Sequence, residues 1–210
     1  MKIAEPVTVL TDYILAAVYI FLGLRLLRLG RAEKQTSVEM SAAAFGGTSA
    51  AALFGGTNHG LGSTLGLWSA VTWKLTVYAT GLASFFLIAA ASFLALKGWP
   101  RRHVLILAAM KLAVYALWVS YHDEFRYVIY DYAPAMAGLL GLSLWSARLG
   151  SGRSAGWISA GILVSFLGAG IQSSGFSLHR YFNHNDLYHV IQTGAAWLLY
   201  RGFQQFRDRA

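Results

Sequence analysis

Apolar runs of about twenty residues follow one another almost without pause along this chain, beginning with "VTVLTDYILAAVYIFLGLRLL" from Val7 to Leu27. Few folds accept that pattern. About twenty apolar residues in helical conformation cross the hydrocarbon core of a bilayer. Inside it every backbone N–H and C=O must be satisfied within the protein, which leaves helices and closed barrels. A barrel would alternate polar and apolar residues over roughly ten-residue strands, and no such alternation is present. Charged residues make up 12% of the chain, against roughly 25% in a soluble domain. The expected fold is therefore an all-α membrane protein: a seven-transmembrane helix bundle forming one integral membrane domain over residues 1–210.

The seven segments are Val7–Leu27, Met40–Leu61, Leu65–Leu96, His103–Tyr121, Tyr127–Ala147, Ala155–Gly175 and Asn185–Tyr200. The net charge is +8, and most of the basic residues fall in a few short loops. That is a topology signal, and nucleic acid is not an expected partner. Arg25, Arg28, Arg31 and Lys34 follow the first segment. Lys97, Arg101 and Arg102 follow the third, Arg148 and Arg153 the fifth, and Arg201, Arg207 and Arg209 the seventh. The opposite side holds only Lys2, Arg126 and Arg180. Positive residues stay in the cytoplasm, so the N-terminus is expected outside and the C-terminus inside. The absence of cysteine rules out disulfides, thiolate nucleophiles and cysteine metal sites. With the short loops, it suggests a bacterial inner membrane. The N-terminus does not read as a signal peptide, because Glu5 and Pro6 precede a full-length apolar run.

On this topology the chemistry gathers outside. His59 ends the second helix, Asp131 stands about one turn into the fifth, and His184, Asn185, Asp186 and His189 open the seventh. His122, Asp123, Glu124 and His179 read as solvated loop. Ionisable groups inside apolar helices are costly and mark functional sites by default. Ala43, Gly47, Ala51, Gly55 and His59 recur every four residues, a small-residue stripe that lets backbones approach and turns His59 toward the bundle. Asp186 and His189, three apart, share a helix face, as a carboxylate and a histidine on one helix do when they ligate a metal. A catalytic zinc takes about three protein ligands and keeps one position open. His59, His189 and either Asp186 or His184 would supply them. Lys74 is near enough to the outer edge to snorkel, and Lys111 lies mid-membrane in need of a partner.

These residues resemble the CREST superfamily, which includes the alkaline ceramidases and the progestin and adipoQ receptors. "NDLYHVIQTGAAWLLYRG" is similar to the seventh-helix pattern of that group, with His189 at its second histidine and Asn185 at its first. "GGTNHG" puts His59 on the second-helix histidine and Gly55 where the family has serine. "WKLTVYATG" carries Lys74 and Thr76 where the family has an aspartate. The resemblance implies seven helices, an outside N-terminus, a zinc ion held by histidines of helices two and seven, and lipid amides such as ceramides as substrates.

The expected function is a zinc-dependent, ceramidase-like hydrolase acting on a membrane lipid amide or ester at the outer leaflet. Asp131 would serve as general base or proton shuttle, and Asn185 would orient water or stabilise the oxyanion. The alternative is a non-enzymatic lipid- or ligand-binding sensory protein. A haem held between His59 and His189, and a proton path through Lys74, Lys111 and Asp131, are further rivals.

Overall fold

The computed structural model describes residues 3–151 and 153–209. It is all-helical, with seven helices in the described residues: α1 Pro6–Glu33, α2 Thr36–Leu61, α3 Leu67–Ala95, α4 Gly98–Tyr121, α5 Arg126–Ser146, α6 Arg153–Ser174 and α7 His184–Phe203. Each expected segment lies within or close to one of these. The largest extensions are α1, six residues longer at its end, and α4, which starts at Gly98 rather than His103. A π-helical turn, Ala147–Ser151, leads from α5 toward α6.

By length and hydropathy α1, α3, α4 and α6 can cross a membrane. Over the described residues α2, α5 and α7 do not reach that hydropathy, and their composition explains why. The end of α2 is a run of Gly, Thr, Asn and His, and α7 carries Asn185, Asp186, His189, Gln192 and Thr193. Of these, α2 and α7 present polar and small groups inward. The outward faces of α1, α3, α4 and α6 expose Leu10, Phe21, Leu75, Leu107, Val114 and Leu163. A broad apolar exterior of this kind suits lipid and not water.

Six helices close into a ring, α1–α2–α3–α5–α6–α7 and back to α1, while α4 packs on the outside of α3. Glycines set the tightest contacts. A Cβ on Gly60 would meet Val9 at 2.5 Å, one on Gly56 would meet the Cβ of Asp12 at 2.7 Å, and one on Gly47 would meet the backbone of Ala79 and Ala83 at 3.0 Å. Small residues thus draw α2 against both neighbours: Gly47, on the expected stripe, faces α3, whereas Gly56 and Gly60, off that stripe, face α1.

One end of the ring is plugged. Tyr19 packs edge-on to Phe45, Phe45 to Phe203, and Phe203 to Phe206. The tail beyond α7 crosses beneath this plug. Asp208 accepts hydrogen bonds from the backbone N–H groups of Thr36 (2.7 Å) and Ser37 (2.8 Å), capping the start of α2. Arg209 donates from its backbone to Phe93 O and from its guanidinium to Ala95 O at the end of α3. A negative group at a helix N-terminus and a positive one at a C-terminus both complement the helix dipole. The opposite end of the ring is not plugged in this way.

Candidate functional site

The ring encloses a cavity of ≈ 380 Å³ above the aromatic plug. Among the described residues, all six ring helices line it and α4 contributes nothing. Tyr19, Tyr132 and Met136 are among its lining, and Phe125, Val128, Ile129 and Phe166 build an apolar wall. The polar lining is concentrated on Asp12, His59, Gln172, Asn185, His189 and Gln192. Three of these, His59, Asn185 and His189, are residues singled out from the sequence.

Asp12 was not anticipated. It stands on α1, is 4% exposed, and its Oδ1 lies 3.2 Å from His189 Nε2. Its Oδ2 is buried and has no hydrogen-bond partner among the described residues. The other ring nitrogen of His189, Nδ1, lies 3.0 Å from the hydroxyl of Thr11. That hydroxyl also lies 3.0 Å from the carbonyl oxygen of Thr8, to which it donates. A hydroxyl has one hydrogen. With that hydrogen given to Thr8, Thr11 Oγ1 accepts from Nδ1–H of His189. The lone pair of Nε2 is then free to face Asp12. Two acceptors do not rest 3.2 Å apart without a positive centre, a proton or a metal ion, between them.

His59 reaches the same cavity from the end of α2, with Nδ1 3.6 Å from Glu5 Oε2. Its side chain is one-third exposed, so the ring lies toward the mouth and not at the floor. Gln172 donates to Asn185 Oδ1 at 3.3 Å. With its oxygen engaged, Asn185 keeps its Nδ2 hydrogens for another acceptor.

The remaining expected site residues are placed elsewhere. Asp186 closes a capping box at the start of α7: Asn183 Oδ1 accepts from the N–H of Asn185 and Asp186, and Asp186 Oδ2 accepts from Asn183 N–H at 2.7 Å. It is buried behind the cavity lining, and its Oδ1 has no partner among the described residues. His184 is the first residue of α7 and does not line the cavity. Asp131 does not line it either; its Oδ1 pairs with Lys111 Nζ at 2.5 Å. Lys111 also donates to Ser84 at 2.8 Å, so the partner of the mid-helix lysine is an α3–α5 couple. Lys74 reaches the carbonyl of Val119 and the carboxylate of Asp123. Among the described residues no three His, Asp or Glu side chains already converge on one point as metal ligands.

The sequence did carry signals for these placements. Asn183 and Asp186 stand three apart ahead of an apolar helix, the spacing of a capping box. Asp12 is an ionisable residue within the first apolar run, and the rule that picked out Asp131 applies to it equally.

Residues 7–208 match a family of unknown function (DUF6962). The chain belongs to that family. The match takes in every residue of the cavity, from Asp12 to Gln192. No curated protein matches the chain.

Proposed function

We propose that this member of the family crosses the membrane seven times, N-terminus outside, and hydrolyses a lipid amide or ester drawn into the cavity from the outer leaflet. One observation carries the reading: two histidines from helices distant in sequence open on one largely apolar cavity, beside a buried carboxylate oxygen that lacks a partner among the described residues. Cavities of about 300–1,000 Å³ hold a small ligand or part of a larger one. Apolar walls with a few clustered polar groups suit an alkyl chain ending in a polar link. The likeness to the CREST superfamily at His59 and His189 supports the same chemistry. The apolar exterior and the basic residues at the end away from the cavity support the membrane placement and orientation of the reading.

The residues fit a zinc ion. His59 and His189 would hold it, and the Asp12 carboxylate oxygen without a partner among the described residues would favour a positive centre beside them. When bound, zinc supplies a Lewis acid that makes water nucleophilic near neutral pH. The protein supplies the rest. The apolar wall of α5 and α6 excludes water and seats the lipid chain. Asn185, its oxygen held by Gln172, offers Nδ2 hydrogens to the carbonyl oxygen on which charge develops. Thr11 holds His189 in one orientation.

The test is turnover of long-chain amides and esters by the purified protein in detergent or nanodiscs. Hydrolysis in the wild type, lost in His59→Ala and His189→Ala variants that still fold, is the expected result. A second reading, a lipid-binding protein without chemistry, is favoured by Gly55, which stands where the CREST resemblance has a serine. Lipid that co-purifies with the chain, with no turnover in any panel, would replace the hydrolase by that reading.

A further inference from the structure

We infer that Asp12, on α1, is the third protein ligand of a divalent metal ion bound with His189 and His59. The inference rests on the hydrolase reading for its metal, and it assigns a residue that the motif resemblance does not supply.

The geometry of the pair is the first argument. Asp12 Oδ1 and His189 Nε2 are 3.2 Å apart. A charge-assisted N–H···O bond closes to about 2.7–2.9 Å. Two donors on one tetrahedral zinc, with arms of about 2.0–2.1 Å, lie about 3.3 Å apart. The observed spacing is within hydrogen-bond reach and is also close to that of two ligands sharing an ion, so a metal can replace the proton between them with little movement of either side chain. The second argument is the state of the ring. Thr11 Oγ1 lies 3.0 Å from Nδ1, which leaves Nε2 as the nitrogen turned to Asp12; with the Thr11 hydrogen on Thr8 and the ring neutral, Nε2 presents a lone pair. A hydrogen bond from the far nitrogen to a fixed acceptor is the usual support of a metal-bound histidine. The third is the carboxylate itself. Asp12 is buried with Oδ2 unpartnered among the described residues. A buried carboxylate without a full set of partners is costly, and a divalent ion would offset that cost.

His59 completes the set from across the cavity. It lies on the same cavity lining. Its side chain is one-third exposed and 3.6 Å from Glu5, so joining the ion requires the ring to turn inward from that contact. Two histidines and one carboxylate are a ligand set that zinc and other first-row divalent metals accept. Asp186 is not chosen, because its Oδ2 is committed to the helix cap.

The experiment titrates zinc, and cobalt as its coloured substitute, into the wild type and into Asp12→Asn, Asp186→Asn, His59→Ala and His189→Ala variants. Helix content and melting verify folding. One metal per chain is expected in the wild type. Loss of an outer-shell partner already costs about 10–100-fold in affinity, so Asp12→Asn should lose at least about a hundredfold and change the cobalt visible bands, while Asp186→Asn keeps both. Wild-type bands and affinity in Asp12→Asn, with binding lost in both histidine variants, would overturn Asp12 as a ligand and leave the hydrolase reading standing. No zinc or cobalt bound by a folded wild type would overturn both. Binding that depends on Asp12 without turnover of any lipid would uphold the ligand and remove the hydrolase.

Discussion

At the scale of single residues, the site depends on a hydroxyl as much as on a charge. Thr11 holds Nδ1 of His189 at 3.0 Å and so leaves Nε2 toward Asp12. Replacing Thr11 by valine keeps the shape and removes the acceptor. The His189 ring then loses its fixed orientation, and zinc affinity should fall by about 10–100-fold. Serine keeps the hydroxyl and should restore near wild-type binding. Calorimetric zinc titration of the two variants checks this, and equal affinities for valine and threonine would remove Thr11 from the site. The sequence revealed His59 and His189 because polar groups at helix ends stand out against apolar runs. Asp12 carried the signal of an ionisable group in an apolar run, but its meaning depends on α1 lying beside α7. That neighbourhood is a property of the closed ring and has no local trace. Asp186 was read as a ligand because it shares a face with His189. The same residue three positions after an asparagine serves the helix end first.

At the scale of elements, α4 is the exception to the ring. Of its described residues only Ala108, Tyr115 and Val119 are buried. In lipid, apolar packing gains little by leaving the bilayer, so helices associate through close packing and polar contacts. Lys111, Tyr115 and Val119, four apart, form one face. Lys111 Nζ donates to Ser84 and Asp131, Tyr115 Oη donates to Val77 O at 3.0 Å, and the carbonyl of Val119 accepts from Lys74. These contacts tie α4 to α3 and α5. Lys111→Met should strand the Asp131 carboxylate, whose Oδ2 already lacks a partner among the described residues. Breaking a buried pair costs about 3–5 kcal/mol, and the lower end applies because the lysine side chain is 31% exposed. The double variant Lys111→Met/Asp131→Leu should regain most of that loss. Thermal unfolding in detergent followed by circular dichroism measures both, and a single variant as stable as wild type would contradict the role of this pair. The helix itself was legible as an apolar run. That it stands outside the ring was not, because its hydropathy resembles that of α3.

At the scale of the whole molecule, charge and cavity are segregated along one axis. The turns after α1, α3 and α5 and the tail after α7 carry the basic residues. The turns after α2, α4 and α6 border the end where His59, Asp12 and His189 gather. Positive residues resist translocation, so the basic end should face the cytoplasm and the cavity the outside. The sequence made this axis readable because the charge rule needs only loop order. It could not show the aromatic plug, or Asp208 and Arg209 stitching α2 and α3 beneath it, since these join residues far apart in the chain. The natural absence of cysteine allows a direct test. Ser63→Cys and Ser177→Cys place single thiols at the cavity end, and Lys34→Cys and Lys97→Cys place them at the basic end; all four positions are exposed. A membrane-impermeant maleimide applied to intact cells should label the first two and reach the second two only after permeabilisation. The reverse pattern would invert the topology and put the site in the cytoplasmic leaflet. Labelling of all four in intact cells would mean that the helices do not alternate across the membrane, and the seven-crossing bundle would fall with it.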